Sequence, residues 1–337
     1  MIEPTGAQLE VTRRVVAWYV RMYYGTPDDL GMATTFTDAG RVGHFAVEAA
    51  QIEAGEPVAL FKLLITVAMF QRLRDATVLQ ILRGISAADV HELTSLSVLR
   101  GLTAACACVF GQTNEGIKKG CDLTKDSGSK GTCGVAPALP CHLKRHTELL
   151  RRYGHFGKVP SSMALGLTEA GFDNLGVLYE RVRANGASPD CRAIALEGAL
   201  CEGWRVGDKL SAMFLSLVAA PGMGFARAPW QAGVAWERYV VVDRNVDLFL
   251  ASIGYAGPGT YEARRGFVQA LARGVDFSAL VPGLPAWHPR LVQQALYMFM
   301  SRSNRRLAGR DCGRQVPVAC GKCPSELVAR CPVGPGA

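Results

Sequence analysis

Apolar and polar residues follow one another along most of this chain with the spacing of amphipathic helices. Over residues 8–24 the apolar side chains stand three or four positions apart with arginines between them, which predicts a helix. Pro57 opens another apolar segment, in the first helical turn where proline is favoured. Because Val240–Val242 is the only short β-like run, we expect a mainly α fold. The predicted helices cover residues 8–24, 57–70, 74–84, 87–107, 141–152, 164–184, 189–201, 207–219, 243–253, 260–273 and 288–307.

Three segments interrupt this helical pattern. Residues 25–56 carry clusters of Gly, Pro, Asp and Thr, and residues 220–237 are irregular and rich in Gly and Pro. Residues 111–140 are rich in Gly, Lys, Ser and Thr, which predicts a long loop, and loops beyond about 15 residues are usually functional or disordered. A chain of 337 residues is long enough for two structural units.

The composition is that of a globular protein, with 49% apolar and 20% charged residues. The longest apolar runs, residues 60–70 and 210–220, are too short to cross a bilayer, and the first twenty residues lack the layout of a secretory signal. We therefore expect a cytoplasmic protein without a membrane partner. The formal charge of +8 weakly favours a polyanionic partner.

The eleven cysteines indicate metal binding rather than a disulfide framework, because cytosolic thiols are kept reduced. Four of them lie near the C-terminus with seven, two and seven intervening residues. A zinc ribbon usually has two Cys-x-x-Cys pairs, whereas this run has one pair and two long arms, so a [4Fe–4S] cluster fits it better than zinc or unligated thiols. The predicted ligands are Cys312, Cys320, Cys323 and Cys331.

Basic residues surround this cysteine run, where they would face nucleic-acid phosphates or simply form a solvated charged surface. They are Arg302, Arg305, Arg306, Arg310, Arg314, Lys322 and Arg330.

Other cysteines leave a second metal site open. Cys121, Cys133 and Cys141, with His142 or His146, could hold an ion, although isolated cysteines are more often small buried apolar residues. Cys106 and Cys108 fall in a predicted apolar helix, which favours a place in the core.

The segment Gly203–Ala212 resembles the second half of the helix-hairpin-helix in the endonuclease III superfamily of DNA glycosylases. In that family a glycine-rich hairpin ends in Val-Gly-x-Lys-x-x-Ala, which Val206, Gly207, Lys209 and Ala212 match here. Glycines permit close backbone approach, and amides at the N-terminus of the next helix can bind a phosphate. The resemblance implies that Gly203, Val206 and Gly207 contact DNA.

Two further segments resemble the same family. Residues 241–250 are similar to its Val-Asp-x-His/Asn-Val segment, which implies that Asp243 is the catalytic carboxylate and that Arg244 and Asn245 contact DNA. Asp243 also stands where a simple helix N-cap is expected. Residues 57–71 resemble the early barrel helix that ends in a glutamine, which implies that Gln71 is inserted into the duplex.

These three segments and then the four cysteines occur in the family's own order, and together they cover residues 57–331. The resemblance implies a two-domain fold, with a six-helix barrel and helix-hairpin-helix over 57–220, expanded at about 105–160. A terminal domain would combine 1–56 with 238–337 and hold the iron–sulfur cluster. The chain differs from the family in lacking the hairpin proline and in a 34-residue interval from Lys209 to Asp243.

The implied activity is a DNA N-glycosylase that removes a damaged or modified base. A lysine at position 209 implies AP lyase activity by β-elimination as well, through a Schiff base. The implied partner is double-stranded DNA, bound by a monomer that would be associated with the nucleoid if the protein is bacterial. The alternatives are a glycosylase without lyase activity and a non-catalytic iron–sulfur DNA-binding protein on the same scaffold. The target base stays open.

Overall fold

A computed structural model describes residues 2–123, 133–151, 154–314 and 316–334, and these residues confirm the mainly α fold. The described residues contain no β-strand, and Leu123 and Cys133 form an isolated antiparallel bridge. None of the helices within these ranges is long and apolar enough to cross a membrane. In chain order the α-helices are α1 (Gly6–Met22), α2 (Ala33–Thr37), α3 (Ala39–Val42), α4 (Ala49–Glu53), α5 (Pro57–Ala68), α6 (Asp75–Arg83), α7 (Ala87–Thr94), α8 (Leu96–Ala104), α9 (His142–Leu149), α10 (Gly154–Gly157), α11 (Val159–Glu169), α12 (Leu175–Ala184), α13 (Pro189–Cys201), α14 (Asp208–Ala219), α15 (Arg244–Ser252), α16 (Tyr261–Arg273), α17 (Pro289–Met300), α18 (Arg302–Leu307), α19 (Pro317–Gly321) and α20 (Ser325–Val328).

Three predicted helices are each divided in two, so the prediction of single helices was wrong there. The hydroxyl of Ser95 accepts the amide of Val98 and starts α8 directly after α7. Gly171, with φ +75°, turns the chain out of the helical conformation after α11, and the Asn174 side chain then caps α12. Ser301, with φ −77° and ψ 88°, separates α17 from α18. The first two breaks depend on single polar side-chain caps, which leave the apolar periodicity unchanged. Ser301 makes no side-chain cap bond, so the third break depends on its backbone angles.

The chain divides into two compact units. The terminal unit contains the residues up to Thr35, Ala220–Gly224 and those from Trp236 onward. The central unit contains Phe36–Ala219 and Phe225–Ala235. The turn-rich residues 36–56, which were expected to pack with the C-terminal domain, therefore belong to the central unit.

Ring packing explains that assignment of residues 36–56. The ring of Phe36 lies edge-on to that of Phe70, with centroids 5.6 Å apart, and the amide of Val47 donates to the carbonyl of Phe36. Gly43 lies so close to α6 that a β-carbon there would approach the Arg83 backbone to 2.9 Å.

Helix α5 is the centre of the central unit. Nine of its twelve residues are buried, because it packs against α7, α11, α12 and α14 on different sides. Each fully buried large apolar side chain contributes about 1.5–3 kcal/mol to folding. This burial holds the C-terminal end of α5 in place, and the segment that contains Gln71 follows it.

Helix α17 has the corresponding position in the terminal unit, where it packs against α1, α15, α16 and α18. The Phe299 ring packs edge-on against Trp18 of α1 and Phe249 of α15, with ring centroids 5.3 and 6.4 Å apart. Helix α17 thus supports both the start of α15, where Asp243 lies, and the cysteine-rich segment that follows α18.

Candidate functional site

Helices α13 and α14 pack together and are joined by the tight turn 202–207. Within it the Val206 amide donates to the Gly203 carbonyl at 3.1 Å, and Arg205 adopts φ +62°. A β-carbon at Gly203 would stand 1.8 Å from the Met163 sulfur, so this close approach requires glycine. The Gly207 carbonyl accepts the amides of Leu210 and Ser211 and starts α14. Locally, this is a helix–turn–helix in which α14 begins directly after the glycine.

Lys209, in the first turn of α14, reaches the end of α5. Its half-buried side chain donates from Nζ to the carbonyl of Phe70 at 3.2 Å. The next residue, Gln71, donates from Nε2 to the Ala68 carbonyl at 2.8 Å. Lys209 and Gln71, which belong to separate sequence motifs, therefore lie together at the end of α5 in the central unit.

Residues 71–74, which we term the Gln71 loop, present a basic and apolar surface. Arg72 adopts φ +59°, a conformation that L-residues rarely use, and both Arg72 and Arg74 are exposed. Leu73 is 38% exposed, although it is a large apolar side chain. A tight loop with a glutamine, an exposed leucine and two arginines has the chemistry expected for contact with a base stack and its phosphates.

Asp243 is the N-cap of α15, as the simpler interpretation of the sequence expected. Its backbone is extended, and Oδ1 accepts the Val246 amide at 3.0 Å. The preceding segment is held by Tyr261, whose hydroxyl donates to the Val240 carbonyl at 2.9 Å and accepts the Val242 amide. Arg244 is exposed. Asp243 thus belongs to the terminal unit, whereas Lys209 belongs to the central unit.

A buried guanidinium lies near Asp243. Burial lowers the pKa of Arg290 to about 10, while Tyr19, Asp29, Tyr261 and Asp243 act in the opposite direction. Arg290 also donates from Nη1 to the side-chain oxygens of Gln293 and Gln294, at 2.7 and 3.0 Å. The sequence showed no signal for this residue, because an arginine in an apolar helix resembles any solvated charge.

The four C-terminal cysteines line one small cavity, together with Trp18, Phe299 and Arg305. Arg305 is 1% exposed and donates to the sulfur of Cys312 at 2.8 Å and to that of Cys331 at 3.3 Å. Its guanidinium also lies 5.0 Å from the centre of the Trp18 ring. The four thiols whose spacing predicted a metal site therefore do converge in space. The cation between them is Arg305, which the sequence pattern had grouped with residues that face phosphates.

The donor set at this cavity suits a thiolate-bound metal centre. Burial raises the pKa of the Cys323 thiol, the neighbouring thiols of Cys312 and Cys331 add to this, and Arg305 opposes it. The Nε atom of Arg305 is buried and has no hydrogen-bond partner among the described residues, and a cluster sulfide would accept from it.

The cavity is small in this conformation. Its volume of about 20 Å³ is roughly that of one water molecule. Within the described part of the chain, no group of three or more His, Cys, Asp or Glu side chains is already arranged to hold a metal ion. A single ion would thus require small movements of the thiols, and a four-iron cluster would require them to move farther apart.

Arg305 and Arg310 have structural contacts that their grouping with phosphate-facing residues did not anticipate. Arg310 pairs with Asp28 at 2.9 Å and donates to the Met22 carbonyl, which attaches the cysteine-rich segment to the end of α1. Arg302, Arg306, Arg314 and Lys322 remain exposed and available to a polyanion.

Two of the cysteines in residues 105–141 differ from their predicted places. Cys106 and Cys108 lie beyond the end of α8, so the prediction that they are helical was wrong. Cys121 and Cys133 are buried in one apolar cluster with Ile117 and Leu143, and Cys141 packs against it.

Neither candidate histidine ligand is directed to these thiols. His146 is buried and its Nε2 lies 2.9 Å from a carboxylate oxygen of Glu92. His142 Nε2 lies 3.1 Å from the hydroxyl of Ser161.

A cleft of about 600 Å³ in the central unit was not anticipated from the sequence. Tyr179 and Trp230 line it, with parallel rings 5.0 Å apart, and Glu53, Arg181 and Arg227 supply charge. Trp230 is 2% exposed, so it serves as a packed wall rather than as a free stacking surface.

Comparison with known proteins adds no relative: no family model, no curated protein and no solved structure matches this chain.

Proposed function

We propose that this protein is a DNA base-excision enzyme, an N-glycosylase with AP lyase activity that acts on duplex DNA as a cytoplasmic monomer. The observation that carries the proposal is the contact of Lys209 with the Phe70 carbonyl, beside Gln71. It places an amine at the start of the second hairpin helix, next to an exposed loop suited to enter a base stack. Extruding a base costs a few kcal/mol, which inserted side chains offset.

In the proposed reaction the neutral amine of Lys209 attacks C1′ of the extruded nucleotide. The base departs with the electron pair of the glycosidic bond and takes up a proton. Opening of the sugar ring gives an iminium ion between Nζ and C1′. Loss of a C2′ proton then expels the 3′ phosphate by β-elimination, and water releases the enzyme.

Asp243 would stabilise the positive charge that develops on the sugar. The hydrogen bond from the Val246 amide holds this carboxylate in place at the start of α15. The backbone amides at the start of α14, after Gly203, Val206 and Gly207, would bind a phosphate, as would Arg244 and Asn245 near Asp243.

Cys312, Cys320, Cys323 and Cys331 would hold a [4Fe–4S] cluster, and Arg305 would donate to its sulfur ligands. When bound there, a cluster would supply a rigid structural centre for the basic C-terminal segment. Zinc is the second candidate for this site, and the small volume of the cavity favours it.

A non-catalytic DNA-binding protein is the second candidate function. The observation that favours it is the capping role of Asp243, because the cap alone explains an aspartate at this position. A glycosylase without lyase activity would follow if Lys209 binds a phosphate instead of C1′.

The deciding experiment is borohydride trapping on duplexes that carry an abasic site, an oxidised pyrimidine or mismatched adenine. A crosslink that needs borohydride and Lys209 would support the lyase assignment. DNA binding without base release or crosslink on any substrate would favour the binding protein. Iron, sulfide and zinc are measured on the same anaerobic sample.

A further inference from the structure

Four cysteines converge from four separate segments of the irregular region between α8 and α9. Cys108 precedes the short 3-10 helix Val109–Gly111, and Cys121 ends the π-helical turn 116–120. Cys133 pairs with Leu123 in the isolated bridge, and Cys141 is the residue before α9. Cys121 and Cys133 are buried in one apolar cluster against which Cys141 packs, and the Cys108 thiol is near enough to act electrostatically on that of Cys121. Such convergence from non-helical segments is typical of a site that a metal organises.

The fifth thiol nearby, that of Cys106, has a different setting. It is 6% exposed and packs so closely on Gly111 that a β-carbon there would stand 2.4 Å from its sulfur. It is also within hydrogen-bonding reach of Cys141. Cys106 is thus a buried neighbour of the other four thiols.

A backbone amide and a buried cation lie beside two of these four cysteines, Cys133 and Cys121, as they would beside a thiolate site. The Ala136 amide donates to the Cys133 sulfur at 3.4 Å. The ammonium of Lys158, 4% exposed, donates to the Cys121 carbonyl and lies 4.7 Å from the Trp204 ring centre. A buried positive charge beside four thiolates would offset the net charge of −2 on a zinc tetrathiolate.

A second lysine orders the segment between Cys133 and Cys141. Lys144 donates from Nζ to the carbonyls of Ala136, Pro137 and Leu139, at 3.0, 2.8 and 2.9 Å. These contacts bend the chain so that the last two cysteines of the set approach the same apolar cluster. The cluster is packed with Ile117, Leu143 and Leu165, which suits a single ion better than a centre with inorganic sulfides.

We propose that Cys108, Cys121, Cys133 and Cys141 bind one structural Zn²⁺ ion, independently of the C-terminal cysteines and of any activity on DNA. Tetrahedral four-cysteine coordination at Zn–S distances of about 2.3 Å is the usual form of a structural zinc site. Since the thiols are not yet arranged around one point, the ion would draw them inward.

The test compares metal content and thiol reactivity in the full-length chain. Zinc is measured in the wild type, in a Cys121→Ser/Cys133→Ser variant and in a Cys191→Ser control, whose cysteine is exposed. A Cys320→Ser/Cys323→Ser variant removes the contribution of the C-terminal site. We expect the Cys121→Ser/Cys133→Ser variant to lose about one zinc per chain. The Cys191→Ser and Cys320→Ser/Cys323→Ser variants should keep this zinc.

Alkylation of the wild type does not depend on how the variants fold. Cys108 and Cys141, both half-buried, should react with iodoacetamide at least tenfold more slowly with Zn²⁺ bound than after chelation, whereas Cys191 should react equally in both. Zinc retained by Cys121→Ser/Cys133→Ser, iron in place of zinc at this site, or equal alkylation of Cys108 with and without Zn²⁺ would each overturn the proposal.

Discussion

Lys209 donates a hydrogen bond to the carbonyl of Phe70 at 3.2 Å, across 139 positions of the sequence. The contact joins the start of α14 to the end of α5, and nine of the twelve residues in each of these helices are buried. Because Lys209 lies on one buried helix and Phe70 follows another, the lysine amine is kept beside the Gln71 loop. The chemical predictions for this protein depend first on this relationship.

The first prediction concerns Lys209→Gln. Without the amine no Schiff base can form, so the borohydride crosslink should disappear and strand cleavage should fall at least about 100-fold, or about 3 kcal/mol. Base release should fall less. The matched control is Lys119→Gln in the same unit, since the Lys119 side chain is 79% exposed and pairs only locally with Glu115. A crosslink that survives in Lys209→Gln would assign the nucleophile to another residue.

The second prediction separates the cap from catalysis at Asp243. Asparagine caps helices as well as aspartate does, so Asp243→Asn should cost no more than about 1 kcal/mol in the free energy of unfolding. Loss of the carboxylate should nonetheless reduce base release by about 10²–10³-fold with little change in DNA affinity.

The control for Asp243 is a pure cap in the same unit. The Thr260 hydroxyl accepts the Ala263 amide at the start of α16, so Thr260→Ala should cost about 1 kcal/mol without changing base release. Equal base release by wild type and Asp243→Asn would leave Asp243 as a cap only.

The third prediction tests the hairpin geometry. Gly203→Ala places a β-carbon 1.8 Å from the Met163 sulfur and should destabilise the protein by about 1–3 kcal/mol. Gly198→Ala, in the middle of α13 with open space around it, should stabilise by about 0.5–1 kcal/mol. Urea unfolding of both variants checks this. If both substitutions changed the free energy of unfolding in the same direction, the turn would be packed differently.

The fourth prediction concerns Arg305, which bridges Cys312 and Cys331. Arg305→Lys keeps the charge but replaces the two donating nitrogens of the guanidinium with a single ammonium nitrogen, so metal affinity at this site should fall about 10–100-fold. Chelator titration, followed by absorbance and metal analysis, measures the loss. Arg302→Lys, at an exposed position of α18, should behave as the wild type does. Equal retention in both variants would reduce Arg305 to a packing role.

The fifth prediction is a pH dependence that comes from buried Asp29. Burial raises its pKa from 3.8 to about 7, although hydrogen bonds from Tyr19 and Gln294 act to lower it. Because the folded state holds the proton more tightly, stability is highest below the unfolded pKa and is lost as pH rises through about 7. The loss between pH 4 and 8 should be on the order of 4 kcal/mol.

Asp29→Asn removes this titration, so the stability of wild type relative to this variant should fall steadily over the same range. Asp276→Asn serves as control, since Asp276 is exposed and the Ser278 hydroxyl lowers its pKa, which places its titration below this window. Parallel pH profiles for wild type and Asp29→Asn would show that Asp29 is ionised in the folded protein throughout.

Helix positions were predictable from the sequence to within a few residues where caps and periodicity agree. Thr5 and Gln8 form a capping box that starts α1, and Pro57 starts α5 as predicted. The breaks at Ser95 and Ser301 were missed, because both are local and leave the apolar spacing intact. Ser95 caps α8 through one hydrogen bond, whereas Ser301 only departs from helical backbone angles. Residues 36–56 were assigned to the other unit, because turn residues carry no signal for the surface on which they pack.

The sequence by itself determined the local features of this protein: the amphipathic helices, the aspartate at the start of α15 and the spacing of the four C-terminal cysteines. These depend on interactions between residues a few positions apart, such as caps and helical periodicity. Only the tertiary structure decided that Lys209 meets the end of α5, that Arg305 lies between two thiols, and that Cys108 approaches Cys121. Such contacts arise when distant segments bury their apolar faces together, and the sum of many packing interactions, rather than any single motif, selects which side chains meet.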